Sequence, residues 1–208
     1  MFYLDNRMAE FCGVISGDGN IWSNGRKYEI TITGSPKNRQ YLDKIAEYVA
    51  GNIKPKAYYR VRGRGLRLTI YSKEFFRFLI EDIGLGRGLQ KNKEGIPPTI
   101  LEMRDFRRAF IRGLFDTDGS VFTSKKKGSP NYPTIEITNA NLKLLLDVRL
   151  VLEEEGFRTT FRSSNTETYK IAVHGEAMLD RWTALIGSSN PEKSSRMESI
   201  INAFSRKE

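Results

Sequence analysis

Apolar and polar residues follow two kinds of period in the first half of the chain. Residues 28–33 and 66–71 alternate between apolar and polar, which predicts β-strands with one covered face. Residues 37–50 instead show helical spacing through Tyr41, Ile45 and Val49. Short strands at 20–23 and 57–61 and a helix at 73–82 complete this half. With the apolar helical stretch that precedes them, the predicted order is αββαββα.

The second half repeats this order. Strands are predicted at 121–123, 134–138, 157–162 and 169–173, helices at 141–155 and 176–185, and a tail helix at 192–204. Residues 91–98 read as a link, so we divide the chain into halves 1–98 and 99–208. The pattern predicts an α+β fold of two pseudosymmetric αββαββα halves, each with one antiparallel sheet.

One short motif opens each half. The segments FCGVISGDG (11–19) and IRGLFDTDG (111–119) are apolar and helical, end in Asp-Gly, and lie 100 residues apart. Gly13 and Gly17 are four apart on one helix face, and Gly113 and Thr117 repeat that spacing at 113 and 117, so the two helices could pack backbone to backbone. Each motif's final glycine, Gly19 or Gly119, is expected to end its helix with a positive φ.

Asp18 and Asp118 would then project from adjacent helix ends. A carboxylate at a helix C-terminus is unfavourable by ~0.3–1 kcal/mol, and two of them repel each other, so a divalent cation is expected there. Oxygen ligands favour Mg²⁺, with Mn²⁺ as a substitute, and the chain has only one Cys and one His for zinc. Gly17 and Thr117 are included in the candidate metal site. The alternative is that each Asp-Gly marks only a helix end and a turn, but two matching copies favour the metal site.

Charge identifies the class of partner. Lys and Arg number 34 against 25 Asp and Glu, a formal net charge of +9. Nucleic acid is favoured over a membrane, since no long apolar run or basic amphipathic anchor is present. The lone Cys12 excludes an intramolecular disulfide, and the chain opens without a signal peptide. We therefore expect an intracellular protein, cytoplasmic or organellar.

The predicted strands present one basic face. Arginines and lysines share one side of the strands while apolar residues share the other, and such a ribbon fits the major groove of DNA. The alternative is a solvated face whose arginines serve solubility. His174, at a strand end, is interpreted as structural or DNA-facing, and Asp116, whose counterpart is Ser16, as an interface or cap residue. The candidate DNA-binding residues are Trp22, Asn24, Arg26, Lys27, Arg60, Arg62, Arg64, Arg67, Lys125, Lys126, Arg158, Arg162 and Lys170.

Both motifs resemble the LAGLIDADG sequence, whose acidic eighth position falls on Asp18 and on Asp118. Over nearly its whole length the chain is similar to the single-chain, two-motif LAGLIDADG homing endonucleases. The resemblance implies a monomeric, metal-dependent, site-specific DNA endonuclease whose two sheets form a saddle over double-stranded DNA. It also implies a cut across the minor groove that leaves short 3′ overhangs. Two sheets in successive major-groove segments imply a target of two helical turns, ~20 bp.

The resemblance extends to candidate basic residues of the site. Residues 186–193 resemble a stretch that ends, in this family, with a basic residue near the scissile phosphate, and residues 83–91 are a looser counterpart. Lys193 and Lys91 are therefore candidate catalytic residues, with Lys93 as the second choice in the first half. A polar residue commonly follows the second strand in this family, whereas this chain has Gly34 in one copy and Asn139-Ala140 in the other.

Two other classes of function remain open from the sequence. An RNA maturase or a non-cleaving DNA-binding regulator could share the fold, and retention of both acids argues against a degenerate regulator. A nuclease embedded in a self-splicing protein segment is a further alternative. The chain begins without Cys or Ser and ends in SRKE, so we expect a free-standing, intron-encoded enzyme.

Overall fold

The computed structural model describes residues 2–53, 56–62, 65–88, 93–126, 129–164 and 167–205. The first half comprises α1 (Asn6–Asp18), β1 (Gly19–Ser23), β2 (Tyr28–Gly34), α2 (Arg39–Ile53), β3 (Lys56–Arg62), β4 (Gly65–Tyr71) and α3 (Lys73–Arg77). Each of α1 and α3 has a polar N-cap. The Asp5 carboxylate accepts from the Met8 amide, and the Ser72 hydroxyl accepts from the Phe75 amide.

The second half comprises α5 (Arg104–Asp118), β5 (Gly119–Lys126), β6 (Ser129–Asn139), α6 (Leu142–Glu154), β7 (Thr159–Ser163), β8 (Tyr169–His174), α7 (Glu176–Leu185) and α8 (Pro191–Ser205), and a short helix, α4 (Pro98–Leu101), precedes it. The predicted αββαββα order is confirmed in both halves. Three details differ. Residues 73–82 form α3 followed by a π-helix, Phe78–Ile83. The strands β5 and β6 are longer than predicted. The helix α4 was not predicted.

Two four-stranded antiparallel sheets have the same topology. Their strand orders are β1-β2-β4-β3 and β5-β6-β8-β7. The registers also match: Gly19 pairs with Ile32 in one sheet and Gly119 with Ile137 in the other. The strands bury isoleucines and leucines on one face, where the helices cover them, and leave mostly polar residues on the other. The fold is therefore α+β and internally duplicated, as predicted.

The motif helices α1 and α5 pack backbone to backbone at the predicted glycines. A Cβ atom at Gly13 would overlap the carbonyl oxygen of Phe110, and one at Gly113 would overlap that of Glu10. An ion pair of 3.0 Å between Arg112 and Glu10 reinforces the contact. One continuous apolar core spans both halves around these helices.

The prediction that the final motif glycines end their helices with a positive φ is wrong. Gly19 and Gly119 both have φ of −90°, so no left-handed conformation demands glycine there. Space demands it instead. A Cβ at Gly19 would lie 2.7 Å from the Ile15 carbonyl oxygen, and one at Gly119 would lie 2.5 Å from that of Phe115. The chain turns directly from each helix into a strand, and a side chain would collide with the helix it leaves.

Gly13→Ala is expected to destabilise the fold by about 1–3 kcal/mol or more, because the added methyl group forces the two motif helices apart. Gly51→Ala is the matched control: Gly51 lies in α2 with nothing within 4 Å of its added Cβ. That change should be neutral or stabilising by up to about 1 kcal/mol. Urea denaturation of the two variants measures both effects. Equal stability of the two variants would contradict close helix packing at Gly13.

None of the helices in the described ranges combines the length and apolar character needed to cross a membrane.

Candidate functional site

The C-terminal ends of the two motif helices bring the predicted carboxylates to one place. Asp18 and Asp118 are the last residues of α1 and α5. A Cβ atom at Gly17 would lie 3.1 Å from Oδ1 of Asp118, so that carboxylate lies against the backbone of the opposite helix. The charges of both Asp18 and Asp118 influence the pKa of Lys193, so all three side chains share one electrostatic environment.

Asn139 is a site residue that the sequence analysis did not include. It ends β6, and its side-chain amide donates a hydrogen bond to Oδ2 of Asp118. By the matching registers, Gly34 occupies the same position at the end of β2 and has no side chain to offer. The two halves therefore differ at the position after the second strand. Asn139 orients the Asp118 carboxylate, whereas Gly34 offers Asp18 no side chain.

Lys193, the candidate basic residue of the second half, lies beside the end of α5. Its Nζ donates to the carbonyl oxygens of Phe115 at 2.5 Å and Thr117 at 3.4 Å. Burial lowers the pKa of Lys193 to about 8, and the carboxylates of Asp116, Asp118 and Asp18 oppose that shift. Its ammonium group neutralises the negative end of the helix dipole where two carboxylates also lie.

Thr117 and the first-half lysines give a more limited result. The Thr117 hydroxyl donates within its own helix, to the Leu114 carbonyl oxygen at 2.9 Å. Lys91 lies outside the described residues, and Lys93 is exposed. The candidate basic residue of the first half therefore stays a prediction.

Asp116 is almost fully buried, with 1% of its surface exposed. The Ser188 hydroxyl and the Ser189 amide both donate to its carboxylate. Burial raises the pKa of Asp116 to about 6, while those hydrogen bonds and Lys193 act in the opposite direction. Its contacts agree with the interpretation of Asp116 as an interface residue.

The donor set at the helix ends suits a hard divalent cation. Asp18 and Asp118 supply carboxylate oxygens at this place. The described ranges contain no larger group, of three or more His, Cys, Asp or Glu residues, that could hold a metal. Two carboxylates leave most coordination positions to water, backbone oxygens or a phosphate. This is how Mg²⁺ binds at sites that act on phosphates, whereas structural zinc requires four protein ligands.

The outer faces of the two sheets carry equivalent rows of polar and aromatic residues. One row runs through Thr33, Arg67 and Arg60, and its counterpart runs through Thr138, Lys170 and Arg162. The predicted parity of the basic residues is thus confirmed at the level of the backbone. The side chains of 56–62, which include Arg60 and Arg62, and the whole of Arg64 lie outside what the structure describes.

An aromatic residue occupies the same place on each outer face. Trp22 on β1 and Phe122 on β5 are equivalent in register, since each lies three residues after the final motif glycine. Trp22 is 44% exposed. By strand register, both positions lie on the face that the basic residues share.

Several of the candidate DNA-binding residues have contacts within the protein. The Lys170 ammonium group is 2.8 Å from the Glu136 carboxylate, and Lys126 lies over the Tyr132 ring. The Asn24 side-chain oxygen accepts from the backbone amides of Arg26 and Lys27 and so builds the β1–β2 turn.

His174 has partners that the sequence did not reveal. Its ring nitrogens lie 3.1 Å from the Thr134 hydroxyl and 3.0 Å from the Thr160 hydroxyl, on the outer face of the second sheet. Burial, with the charges of Arg162 and Lys126, lowers the pKa of His174. It is both structural and on the basic face.

Comparisons with known proteins define the fold of the chain and match part of its second half to a known family. The homing endonuclease I-DmoI in complex with DNA and Ca has a TM-score of 0.68 at 20% identity, over 93% of this chain and 97% of that one. The N-terminal LAGLIDADG domain of DUF199/WhiA has a TM-score of 0.59 at 17% identity, over 92% and 86%. Both share the fold of this chain. Residues 105–187 match the LAGLIDADG-like domain family. The second half of the chain therefore contains a LAGLIDADG-like domain, and the chain has the fold of the LAGLIDADG homing endonuclease I-DmoI.

Sequence relatives are much longer than this chain. A tRNA-splicing ligase RtcB from Methanopyrus kandleri is 25% identical over 89% of this chain and 21% of its own length. A replication factor C small subunit from Methanocaldococcus jannaschii is 27% identical over 95% and 10%. A DNA polymerase from Thermococcus hydrothermalis is 29% identical over 70% and 8%. The chain thus spans about a fifth or less of these relatives.

Proposed function

We propose that this protein is a site-specific endonuclease that hydrolyses both strands of a long double-stranded DNA target with Mg²⁺ or Mn²⁺. The observation that carries the proposal is the meeting of Asp18 and Asp118 at adjacent helix ends, with Lys193 beside them, between two basic sheet faces. The two halves, 1–98 and 99–208, would each contribute one sheet to a monomeric saddle over the DNA.

Each group at the site has a chemical role in this proposal. Asp18 and Asp118 would hold the cations, which supply activation of water and stabilisation of the leaving 3′ oxygen. Lys193 would place positive charge next to the scissile phosphate, where negative charge develops during in-line attack. Asn139, by its hydrogen bond, would keep the Asp118 carboxylate in one orientation.

The outer sheet faces would supply affinity and base recognition. Lys and Arg residues neutralise phosphates irrespective of sequence, while arginines that reach guanine edges discriminate between bases. The paired positions Arg67 and Lys170 place a cation at the same point of each half. A two-fold pseudosymmetric contact with a long target follows from that arrangement.

The sequence relatives support a function for the shared segment that differs from the activities for which the whole relatives are named. A ligase, a replication factor and a polymerase each contain a segment similar to this chain. The similar segment makes up only 21%, 10% and 8% of these differently named proteins. This distribution favours a nuclease module that is carried within unrelated proteins. The alternative is a free-standing, intron-encoded enzyme.

Cleavage of a randomised plasmid library in Mg²⁺, followed by sequencing of the ends, tests the proposal. A nuclease of this kind yields paired ends with 3′ overhangs at one recurrent sequence. Because DUF199/WhiA shares the fold, the fold alone does not establish cleavage. Specific binding to DNA without any cut would identify a DNA-binding regulator, and preferential binding to structured RNA would identify a maturase.

Binding of DNA should change the fluorescence of Trp22. The chain has two tryptophans, and Trp182 is 1% exposed whereas Trp22 is 44% exposed on the proposed DNA face. Duplex DNA should therefore quench or shift the emission of the wild type, and Trp22→Phe should remove most of that change. Trp182→Phe is the control that retains it. An undiminished response in Trp22→Phe would place DNA elsewhere on the protein.

A further inference from the structure

A buried carboxylate in the second motif has no role in the proposed chemistry. Asp116 lies two residues before Asp118, and its side chain accepts hydrogen bonds from the Ser188 hydroxyl and, at 2.9 Å, from the Ser189 amide. Its own carbonyl oxygen accepts from the Asn190 side-chain amide at 3.3 Å. Burial of a carboxylate is costly without such bonds, so these contacts hold the turn 188–190 against α5.

That turn begins the helix that carries Lys193. The Asn190 side-chain oxygen accepts from the Glu192 amide at 3.1 Å, and its carbonyl oxygen accepts from the Ser194 amide at 2.9 Å. Lys193 then reaches back to the carbonyl oxygens of Phe115 and Thr117, which flank Asp116 in the motif helix. Asp116 and Lys193 thus hold the start of α8 at two points of the same helix end.

Among the residues that the structure describes, the first half lacks this arrangement. Ser16 occupies the position of Asp116, and its hydroxyl donates within α1 to the Cys12 carbonyl oxygen at 2.9 Å. Residues 83–85 correspond to residues 186–188, so the buried Leu85 stands where Ser188 stands. Ser16 and Leu85 line the same small cavity. An apolar neighbour therefore replaces the hydroxyl that donates to Asp116.

We propose that Asp116 is a positioning residue for Lys193, and that the two strand cuts consequently depend differently on the sixth position of the motif. This inference rests on the proposed nuclease function. Asp116→Asn keeps the size of the side chain, removes its charge and leaves one acceptor oxygen, so the Ser188 hydroxyl and the Ser189 amide can no longer donate to two separate oxygens. Lys193 is then held less firmly, and displacement of a charged group by about 1 Å is expected to slow the cut that it assists by about 10- to 100-fold.

Single-turnover cleavage of an end-labelled target, with each strand followed separately, tests this proposal. Lys193→Ala identifies the strand that depends on Lys193. Asp116→Asn should slow that same strand and leave a nicked product, while the matched first-half control, Ser16→Ala, should cut both strands at wild-type rates. Ser188→Ala, which removes one donor and keeps the carboxylate, should act in the same direction and serves if Asp116→Asn does not fold.

A second readout does not require cleavage. Labelling of lysines with acetic anhydride, read by mass spectrometry, should modify Lys193 faster in Ser188→Ala, which keeps the charge of Asp116, than in the wild type, relative to the exposed Lys143. Unchanged labelling of Lys193, equal slowing of both strands, or cleavage by Asp116→Asn at wild-type rates would each overturn the positioning role. Absence of any cleavage by the wild type would instead reject the proposed function, and the labelling result would still decide the role of Asp116.

Discussion

Asp18→Asn and Asp118→Asn are each expected to abolish cleavage of at least one DNA strand, with a loss of about 10³-fold or more. Each change keeps the shape of the side chain and removes the charge that would hold a cation. The helix ends are fixed by glycine packing and by the amides of Gly19 and Gly119, which donate to the carbonyl oxygens of Ile15 and Phe115, so neither variant should unfold. Strand-specific end-labelled substrates measure the effect.

The pattern of products distinguishes two arrangements of the site. If the two carboxylates act independently, each variant nicks the opposite strand. If they share a central cation, either variant alone silences both strands. Asp105→Asn is a suitable control, because it removes one charge from the exposed beginning of the same helix, α5. Double-strand cleavage by both active-site variants would reject the catalytic assignment and leave the maturase or DNA-binding alternative.

The sequence predicted the features that depend on short-range periodicity. Strand alternation and helical spacing were sufficient for the order of elements in both halves, because one face of each element is buried. The spacing of Gly13 and Gly113 predicted the close helix contact, which the structure confirms. The repeated motif predicted that Asp18 and Asp118 lie at the ends of the two motif helices, which the structure confirms.

The sequence did not predict contacts between residues far apart in the chain. Asn139 and Asp118 are brought together by the turn from α5 into β5 and by the pairing of β5 with β6. Asp116 meets Ser188 because the turn between α7 and α8 lies against the motif helix α5. Such long-range contacts make the environments of the two carboxylates unequal. The similarity of the two motifs in sequence gives no sign of this difference.

The requirement for Gly19 and Gly119 shows a different limit. A glycine after a helix usually indicates a left-handed residue, and here the backbone is extended at both positions. Their necessity comes from the immediate start of a strand over the helix end, which is a tertiary constraint. Glycine thus marks the helix ends at the predicted positions, but for a reason that the sequence did not predict.

Removal of divalent metal is expected to reduce cleavage below detection and to leave DNA affinity within a few-fold of its value in Mg²⁺. The carboxylates act only at the scissile phosphates, whereas affinity comes from Lys and Arg distributed over both sheet faces, in a chain with a net charge of +9. Gel-shift and cleavage assays on one target, in EDTA and in Mg²⁺ at matched ionic strength, separate the two effects. Affinity should fall steeply with added monovalent salt under both conditions, because binding releases counterions from the DNA. Cleavage that persists in EDTA would exclude the metal site at Asp18 and Asp118, and specific binding that disappears in EDTA would show that the cation serves recognition as well as chemistry.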